Sequence, residues 1–184
     1  STLILPSLRT AFDLPFVGTV PAIKPAAANS HTGMISVLAT PGTVKRDYTR
    51  TLMQQFAKGL KVELVGSQHL AALAEKWFLN APSEELRRKI QVELMPCFVE
   101  TESGTKTDTI VLGCTHFPLL SDVLPSVGLW PVEWIDPSPA IARRVREVLG
   151  KKAEKCSSGI FKIISSTESR TEHIESLWEK LHQP

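Results

Sequence analysis

The stretch from Thr109 to Leu120, TIVLGCTHFPLL, constrains the fold of this chain more than any other. An apolar, β-branched run ends at Gly113, which is typical of a buried strand that stops at a tight turn. Pro118 is compatible with the first turn of a helix, where its missing N–H costs nothing. The residues 114–116 therefore lie between the carboxyl end of a strand and the start of a helix. Open α/β sheets bind ligands at such places, and free helix N–H groups there favour an anion.

Three chemically capable side chains follow this strand in a row: the thiol of Cys114, the hydroxyl of Thr115 and the imidazole of His116. A thiol at such a place is expected to have a lowered pKa. His116 could serve it as acid, base or orienting group. The alternative is that Cys114 is a small buried hydrophobe, since free cysteine is often fully buried. The nearness of His116 favours the functional interpretation.

Strands and helices alternate along the rest of the chain. Strands are predicted at residues 15–20, 34–39, 61–65, 109–113, 132–135 and 160–164. Helices are predicted at residues 1–12, 21–28, 44–58, 68–78, 82–94, 121–127, 136–149 and 172–181. This order predicts an α/β fold with an open, mostly parallel sheet and helices on both of its faces.

A second strand end carries small hydroxyl groups, in the segment Ala39-Thr40-Pro41-Gly42-Thr43. If the strands 34–39 and 109–113 are parallel neighbours, Thr40 and Thr43 line one crevice with residues 114–116. Such a crevice offers hydroxyl and backbone donors to a carboxylate or phosphate. The alternative is that the two threonines cap the helix that follows, as threonine commonly does.

Composition excludes several classes of function. The net charge is +2 with acids and bases interspersed, so nothing indicates nucleic acid or a membrane surface as a partner. No apolar run approaches the ~18 residues that a spanning helix needs. The three cysteines and five histidines lack metal-ligand spacing, so a structural zinc site is not expected. No dinucleotide or Walker A signature is present, so dinucleotides and nucleoside triphosphates are not favoured. Three widely spaced thiols fit a reduced, cytoplasmic protein.

The segment Gly113-Cys114-Thr115-His116-Phe117-Pro118-Leu119-Leu120 resembles the second catalytic cysteine motif of the bacterial glutamate racemases, in the aspartate/glutamate racemase family. Other parts agree in order and spacing. They are FVGTVPAIKPA at 16–26, ATPGTVK at 39–45, Asp136 with PAIARR at 139–144, and a weaker echo at 161–168. Several independent motifs in the right order make the resemblance specific over residues 1 to about 150.

The resemblance implies a cofactor-independent enzyme that interconverts L- and D-glutamate with two thiols on opposite faces of the substrate, supplying D-glutamate for peptidoglycan. Cys114 would be the base for one enantiomer and the acid for the other. His116 would tune or relay its proton and contact the substrate, and Thr115 would hold the substrate's polar groups. Thr40 and Thr43 match family positions that approach the ligand.

The resemblance also implies two pseudo-symmetric domains. Residues 22–135 would form the domain that carries the Cys-Thr-His motif, and residues 1–21 with 136–184 part of the other, incomplete in this chain. The family's first catalytic cysteine lies in a Cys-Asn-Thr-Ala-Ser run, and Ser1 matches its last residue; Cys97 and Cys156 do not match that cysteine. We therefore expect no racemisation by these 184 residues alone.

Two other functions stay open. The first is an aspartate racemase or a related two-cysteine racemase, because the loops that fix side-chain length are not matched. The second is an inactive fragment that binds its ligand without turnover. Family members also differ in dimer arrangement, so a homodimer stays open as well.

Overall fold

Four parallel strands form the centre of the fold. The structure, a computed structural model, describes residues 4–45, 47–150, 175–176 and 178–180. Its strands are β1 (Met34–Ala39), β2 (Lys61–Gly66), β3 (Thr109–Leu112) and β4 (Glu133–Ile135). They are hydrogen-bonded in the order β2-β1-β3-β4, and every pair is parallel. The predicted α/β class with an open parallel sheet is therefore confirmed.

Helices connect the strands, as parallel pairing requires. They are α1 (Leu5–Ala11), α2 (Ile23–Asn29), α3 (Pro41–Val44), α4 (Asp47–Phe56), α5 (Leu70–Leu79), α6 (Glu84–Leu94), α7 (Leu124–Val127) and α8 (Ser138–Leu149), with 3₁₀ turns at Met95–Cys97 and Phe117–Leu120. None of these helices in the described part of the chain combines the length and apolar character that crossing a bilayer requires.

Side chains alternate between two core layers on the two faces of the sheet. Ile35 and Val37 of β1 pack with apolar residues of α2 and α4. Leu38 packs on the other face with residues of α5, α6 and α7. Ser36 is buried on β1, where its hydroxyl donates to the Cys97 carbonyl at 2.7 Å. Both faces are thus covered by helices, which explains why the strands read as nearly continuous apolar runs.

The predicted strand at residues 15–20 is wrong. These residues join no sheet in the described part of the chain, although they are apolar enough to suggest a strand. Pro15 begins the segment and Pro21 follows it, and neither offers an N–H to a ladder. The Phe16 carbonyl instead accepts a hydrogen bond from the Arg9 guanidinium at 2.9 Å.

Two predicted helices have different boundaries. The helix predicted at 44–58 is divided into α3 and α4, because Pro41 starts a helix early. The Thr49 hydroxyl donates to the Thr43 carbonyl at 2.8 Å and ties the two helices together. The helix predicted at 121–127 is reduced to α7, after the 3₁₀ turn. The predicted strand at 160–164 and Cys156 lie outside the described residues, and of the predicted helix 172–181 the described residues 175–176 and 178–180 are helical.

Candidate active site

The site lies where the chain changes direction across the sheet. After β1 the chain crosses to β2 on one side, and it later returns to β3 on the other side of β1. The loops after β1 and β3 therefore diverge and leave a crevice at the carboxyl ends of the two strands, the usual ligand site of such sheets. Leu38 pairs with Leu112 in the parallel register, and the Gly113 N–H donates to the Leu38 carbonyl at 2.7 Å. The predicted adjacency of the two strand ends is confirmed.

Gly113 is required for this close approach. A Cβ atom at this position would lie 2.9 Å from the Ala39 Cβ and 3.0 Å from the Leu38 carbonyl oxygen. Neither neighbour is the flexible end of a long side chain, so a larger residue would push β1 and β3 apart. The glycine thus sets the geometry at which Cys114 leaves the sheet.

A cavity of about 190 Å³ opens beside this point. It is lined by Thr19, Val20, Pro21, Thr40, Thr43, Tyr48, Thr49, Leu112, Gly113, Cys114, Thr115, Pro118, Pro137, Ser138 and Ile141. Four of the five predicted site residues are among them, namely Cys114, Thr115, Thr40 and Thr43. No charged side chain of the described residues lines the cavity, so an anionic ligand here would be held by hydroxyl and backbone N–H groups.

His116, the fifth predicted residue, does not line the cavity and contacts the thiol from the side. Its Nδ1 lies 3.7 Å from the Sγ of Cys114, which is hydrogen-bond range for sulfur. Its Nε2 lies 2.9 Å from Oε1 of Glu75 on α5. Thiol, imidazole and carboxylate therefore form a continuous chain, an arrangement that activates nucleophiles and bases in many enzymes.

Two opposing effects act on the thiol. Partial burial raises the pKa of Cys114, but the hydrogen bond from the His116 side chain, the backbone N–H groups of Thr115 and His116, and the imidazole charge lower it further than burial raises it. The net pKa is below that of an ordinary cysteine. A helix N-terminus contributes little to lowering the pKa of this thiol, because only a 3₁₀ turn follows Cys114. The neighbouring imidazole of His116 lowers the pKa instead.

His116 is affected in the opposite direction. Its hydrogen bond to Cys114 raises its pKa, burial lowers it, and the charges of Cys114 and Glu75 raise it again, with a net increase. Both shifts favour the same charge-separated state, a thiolate beside an imidazolium. Such a thiolate is the form that can accept a proton from carbon.

The two threonines after β1 do not act as side-chain caps. Thr40 occupies the N-cap position of α3, but its side chain makes no capping hydrogen bond. Its Oγ1 lies 3.1 Å from the Oγ1 of Thr43, so the two hydroxyls form a pair at the cavity wall. Thr115 is exposed beside the thiol. The structure therefore places all three hydroxyls where a ligand could reach them.

Residues 1–145 match the family model described as Asp/Glu/Hydantoin racemase. The chain belongs to this family. It is 50% identical to a glutamate racemase of Brucella canis over 155 residues, which cover 84% of this chain and 55% of that protein. A glutamate racemase of Agrobacterium fabrum is 50% identical over 149 residues, covering 80% of this chain and 54% of the relative. The chain thus spans about half the length of the curated relatives it matches.

Among solved structures, Escherichia coli glutamate racemase in complex with L-glutamate and the activator UDP-MurNAc-ala superposes with a TM-score of 0.80. The two are 36% identical, and the match covers 98% of this chain and 67% of that one. A glutamate racemase isoform from Bacillus anthracis shares the fold, with a TM-score of 0.68 at 24% identity over 95% of this chain and 65% of that one.

The second described cysteine of this racemase-family chain is unsuited to proton transfer. Cys97 is fully buried in the core beneath α5 and α6. Burial, with a smaller contribution from the Glu63 charge, raises the pKa of this thiol to about 12. Cys97 is therefore a packing residue of the core. Within the described residues, no group of three His, Cys, Asp or Glu side chains could hold a metal ion.

Sequence reasoning missed several residues of the site. Glu75 lies on α5, whose sequence LAALAEKWFL carries this carboxylate in an otherwise mostly apolar helix. That isolated acid was the one available signal. Tyr48 on α4 also lines the cavity, although no motif of the sequence marks it. Ser138 and Thr19 also line it; Thr19 lies within the FVGTVPAIKPA stretch, but neither residue was predicted as part of the site.

Proposed function

We propose that this chain supplies one of the two acid–base groups of a glutamate racemase, with Cys114 as that group. The observation that carries the proposal is the Cys114–His116–Glu75 chain at the edge of a cavity with a neutral, hydroxyl-bearing lining. The glutamate racemases among the relatives support glutamate as the substrate.

Racemisation inverts the configuration at Cα, so a proton must leave one face and another must arrive on the opposite face. In one direction the Cys114 thiolate takes the Cα proton and becomes a thiol. The electron pair left on Cα accepts a proton from an acid on the far face. In the other direction the Cys114 thiol donates its proton and returns to the thiolate. No step requires a cofactor or a metal.

The imidazole and the carboxylate keep Cys114 usable in both directions. A side chain that acts as a base in one direction and as an acid in the other works best when its pKa lies near the operating pH. The charge on His116 stabilises the thiolate, and the contact with Glu75 holds the ring so that Nδ1 faces the sulfur. His116 is thus a positioning and tuning group in this proposal, while Thr115, Thr40 and Thr43 bind the substrate.

The acid–base group on the opposite face is not assigned within the described residues. Cys97 is excluded by its burial, and Cys156 lies outside the described part of the chain. We infer that the second group comes from another part of the site. The two-thiol mechanism that the family resemblance implies is consistent with this inference.

We also propose two domains, 22–135 and a second that includes 1–21 and 136–184. In support, the whole sheet and both core layers fall within residues 23–135. In contrast, α1 and α8 contain no buried residue. A cytoplasmic role in supplying D-glutamate for peptidoglycan, and a homodimer, belong to the same proposal. The E. coli relative's activator, UDP-MurNAc-ala, supports a link to cell-wall synthesis.

Racemisation of L-glutamate by the natural protein, followed by optical rotation or circular dichroism, tests this function. We expect turnover that is lost in Cys114→Ala and retained in Cys97→Ala, a matched change at the buried thiol. L-Aspartate run in parallel distinguishes the related racemase. D-Glutamate formation that persists in Cys114→Ala would contradict the proposal.

A further inference from the structure

The polar lining of the cavity extends onto α4, beyond the two strand ends. Tyr48 lines the cavity and is 37% exposed, so it lies at the rim. The next residue, Thr49, is only 1% exposed and lines the cavity deeper inside. Since the Thr49 hydroxyl donates to the Thr43 carbonyl at 2.8 Å, the first turn of α4 is tied to the turn that carries the threonine pair. Tyr48 is therefore held at a defined place relative to the strand ends.

Hydrogen-bond accounting shows which hydroxyls are available to a ligand. Thr49 already uses its hydrogen on a carbonyl. The Thr40 and Thr43 hydroxyls bond to each other, so the pair retains one hydrogen for a ligand. The hydroxyls of Thr115 and Ser138 also have no hydrogen-bond partner among the described residues, but Thr115 stands next to the thiol and serine has the shorter reach. The Tyr48 hydroxyl has no hydrogen-bond partner among the described residues, and it belongs to the largest polar side chain of the lining.

The reaction fixes how an amino acid must lie in this cavity. Its Cα has to be next to the sulfur of Cys114, which places the substituents of Cα near Thr115. The side-chain carboxylate then extends away from the thiol. Since no charged side chain of the described residues lines the cavity, any donor that these residues supply to that carboxylate is neutral, and a phenol is a strong neutral donor.

We propose that Tyr48 is a specificity-determining residue whose hydroxyl donates a hydrogen bond to the distal carboxylate of the substrate. This assignment rests on the proposed glutamate racemase function. A site built to bond a polar group rejects analogues that lack the group, because its own donor is then left unpaired. Tyr48 therefore favours a dicarboxylic amino acid over one with an apolar side chain.

Protection of Cys114 from iodoacetamide, followed by peptide mass spectrometry, measures ligand binding without requiring turnover. The ligands are glutamate and norvaline, which has an apolar side chain in place of the distal carboxylate. In Tyr48→Phe we expect the half-protecting concentration of glutamate to rise roughly tenfold, the size of one hydrogen bond to a charged group. The value for norvaline and the alkylation rate without ligand should not change.

Thr51→Val is the matched control. It removes a hydroxyl from the same helix, where Thr51 is exposed and donates to the Asp47 carbonyl at 3.0 Å. We expect it to leave protection by glutamate unchanged. A ¹³C label on the tyrosine ring carbon that bears the hydroxyl gives a resonance for Tyr48, which its absence from the spectrum of Tyr48→Phe assigns. Glutamate should shift this resonance, and norvaline should not.

The possible outcomes separate the two proposals. If glutamate protects Cys114 equally in the unchanged protein and in Tyr48→Phe, the assignment of Tyr48 is overturned and the proposed function stands. Equal weakening for glutamate and norvaline would also overturn it, because the effect would then be structural. If glutamate gives no protection in the unchanged protein, the proposed function itself fails, and the assignment fails with it.

Discussion

Replacing Glu75 by Gln tests whether the carboxylate tunes the thiol through His116. The change keeps the shape of the side chain and its ability to accept a hydrogen bond, but it removes the charge 2.9 Å from Nε2. Since the Glu75 charge raises the pKa of His116, the imidazolium becomes less stable in the variant. The Cys114 thiolate then loses part of its stabilisation, and the pKa of Cys114 increases.

The size of the effect follows from exposure. The His116 and Glu75 side chains are 41% and 27% exposed, so solvent screens their attraction. An ion pair in this setting is worth about 0.5–1 kcal/mol rather than the larger value of a buried pair. That range corresponds to an about two- to fivefold lower thiolate-dependent rate at neutral pH.

The assay is the rate of Cys114 alkylation by iodoacetamide as a function of pH, since only the thiolate reacts. In the unchanged protein the rate should rise at a lower pH than for an ordinary cysteine, and in Glu75→Gln the profile should move to higher pH. Glu84→Gln, a change at an exposed acid on α6 that pairs with Arg87 and Arg88, serves as the control and should have no effect. A profile in Glu75→Gln that is unchanged or moved to lower pH would refute the reasoning.

Three further predictions follow from the described contacts. Gly113→Ala should lower the free energy of unfolding, measured by urea denaturation, by about 1–3 kcal/mol. The added methyl group would lie 2.9 Å from the Ala39 Cβ and 3.0 Å from the Leu38 carbonyl oxygen. Equal stability of the variant would contradict this prediction. Asp108→Asn should destabilise the fold at neutral pH, since burial raises the pKa of Asp108 but hydrogen bonds from Ser30, Thr32, His31 and Thr109 lower it overall. A depressed pKa contributes stability that is lost as pH falls through the folded-state value, so the difference from the unchanged protein should shrink in acid, and a constant difference would contradict this. Cys97 should resist alkylation in the native state, because burial raises its pKa to about 12, and should react at an ordinary rate only in denaturant; native labelling at the Cys114 rate would contradict its burial.

The local pattern was enough to predict the sheet and the position of the thiol. The apolar runs of β1 and β3 are continuous because helices cover both faces, and such runs identify buried parallel strands well. The segment 15–20 misled the same reasoning, since its apolar residues suggest a strand although it pairs with no strand of the described residues. Whether a strand pairs depends on distant residues, and local composition does not contain that information.

The site was predicted where its residues are neighbours in sequence and missed where they are not. Cys114, Thr115 and His116 stand in a row, and the two threonines follow an adjacent strand. Glu75 meets His116 only because α5 packs against the 3₁₀ turn at Phe117–Leu120. Tyr48 was missed for a related reason, because it reaches the cavity from α4 and not from either of the two strand ends that the sequence marks.

The most direct test of the account is the racemisation of L-glutamate by the natural protein in D₂O, stopped at low conversion. If Cys114 acts on one face of Cα and a separate acid acts on the other, the D-glutamate formed should carry deuterium at Cα, and the recovered L-glutamate should carry almost none. No deuterated D-glutamate should form when Cys114 is replaced by Ala. D-Glutamate that retains its original hydrogen would indicate a single base that returns the same proton, and it would contradict the role assigned to Cys114.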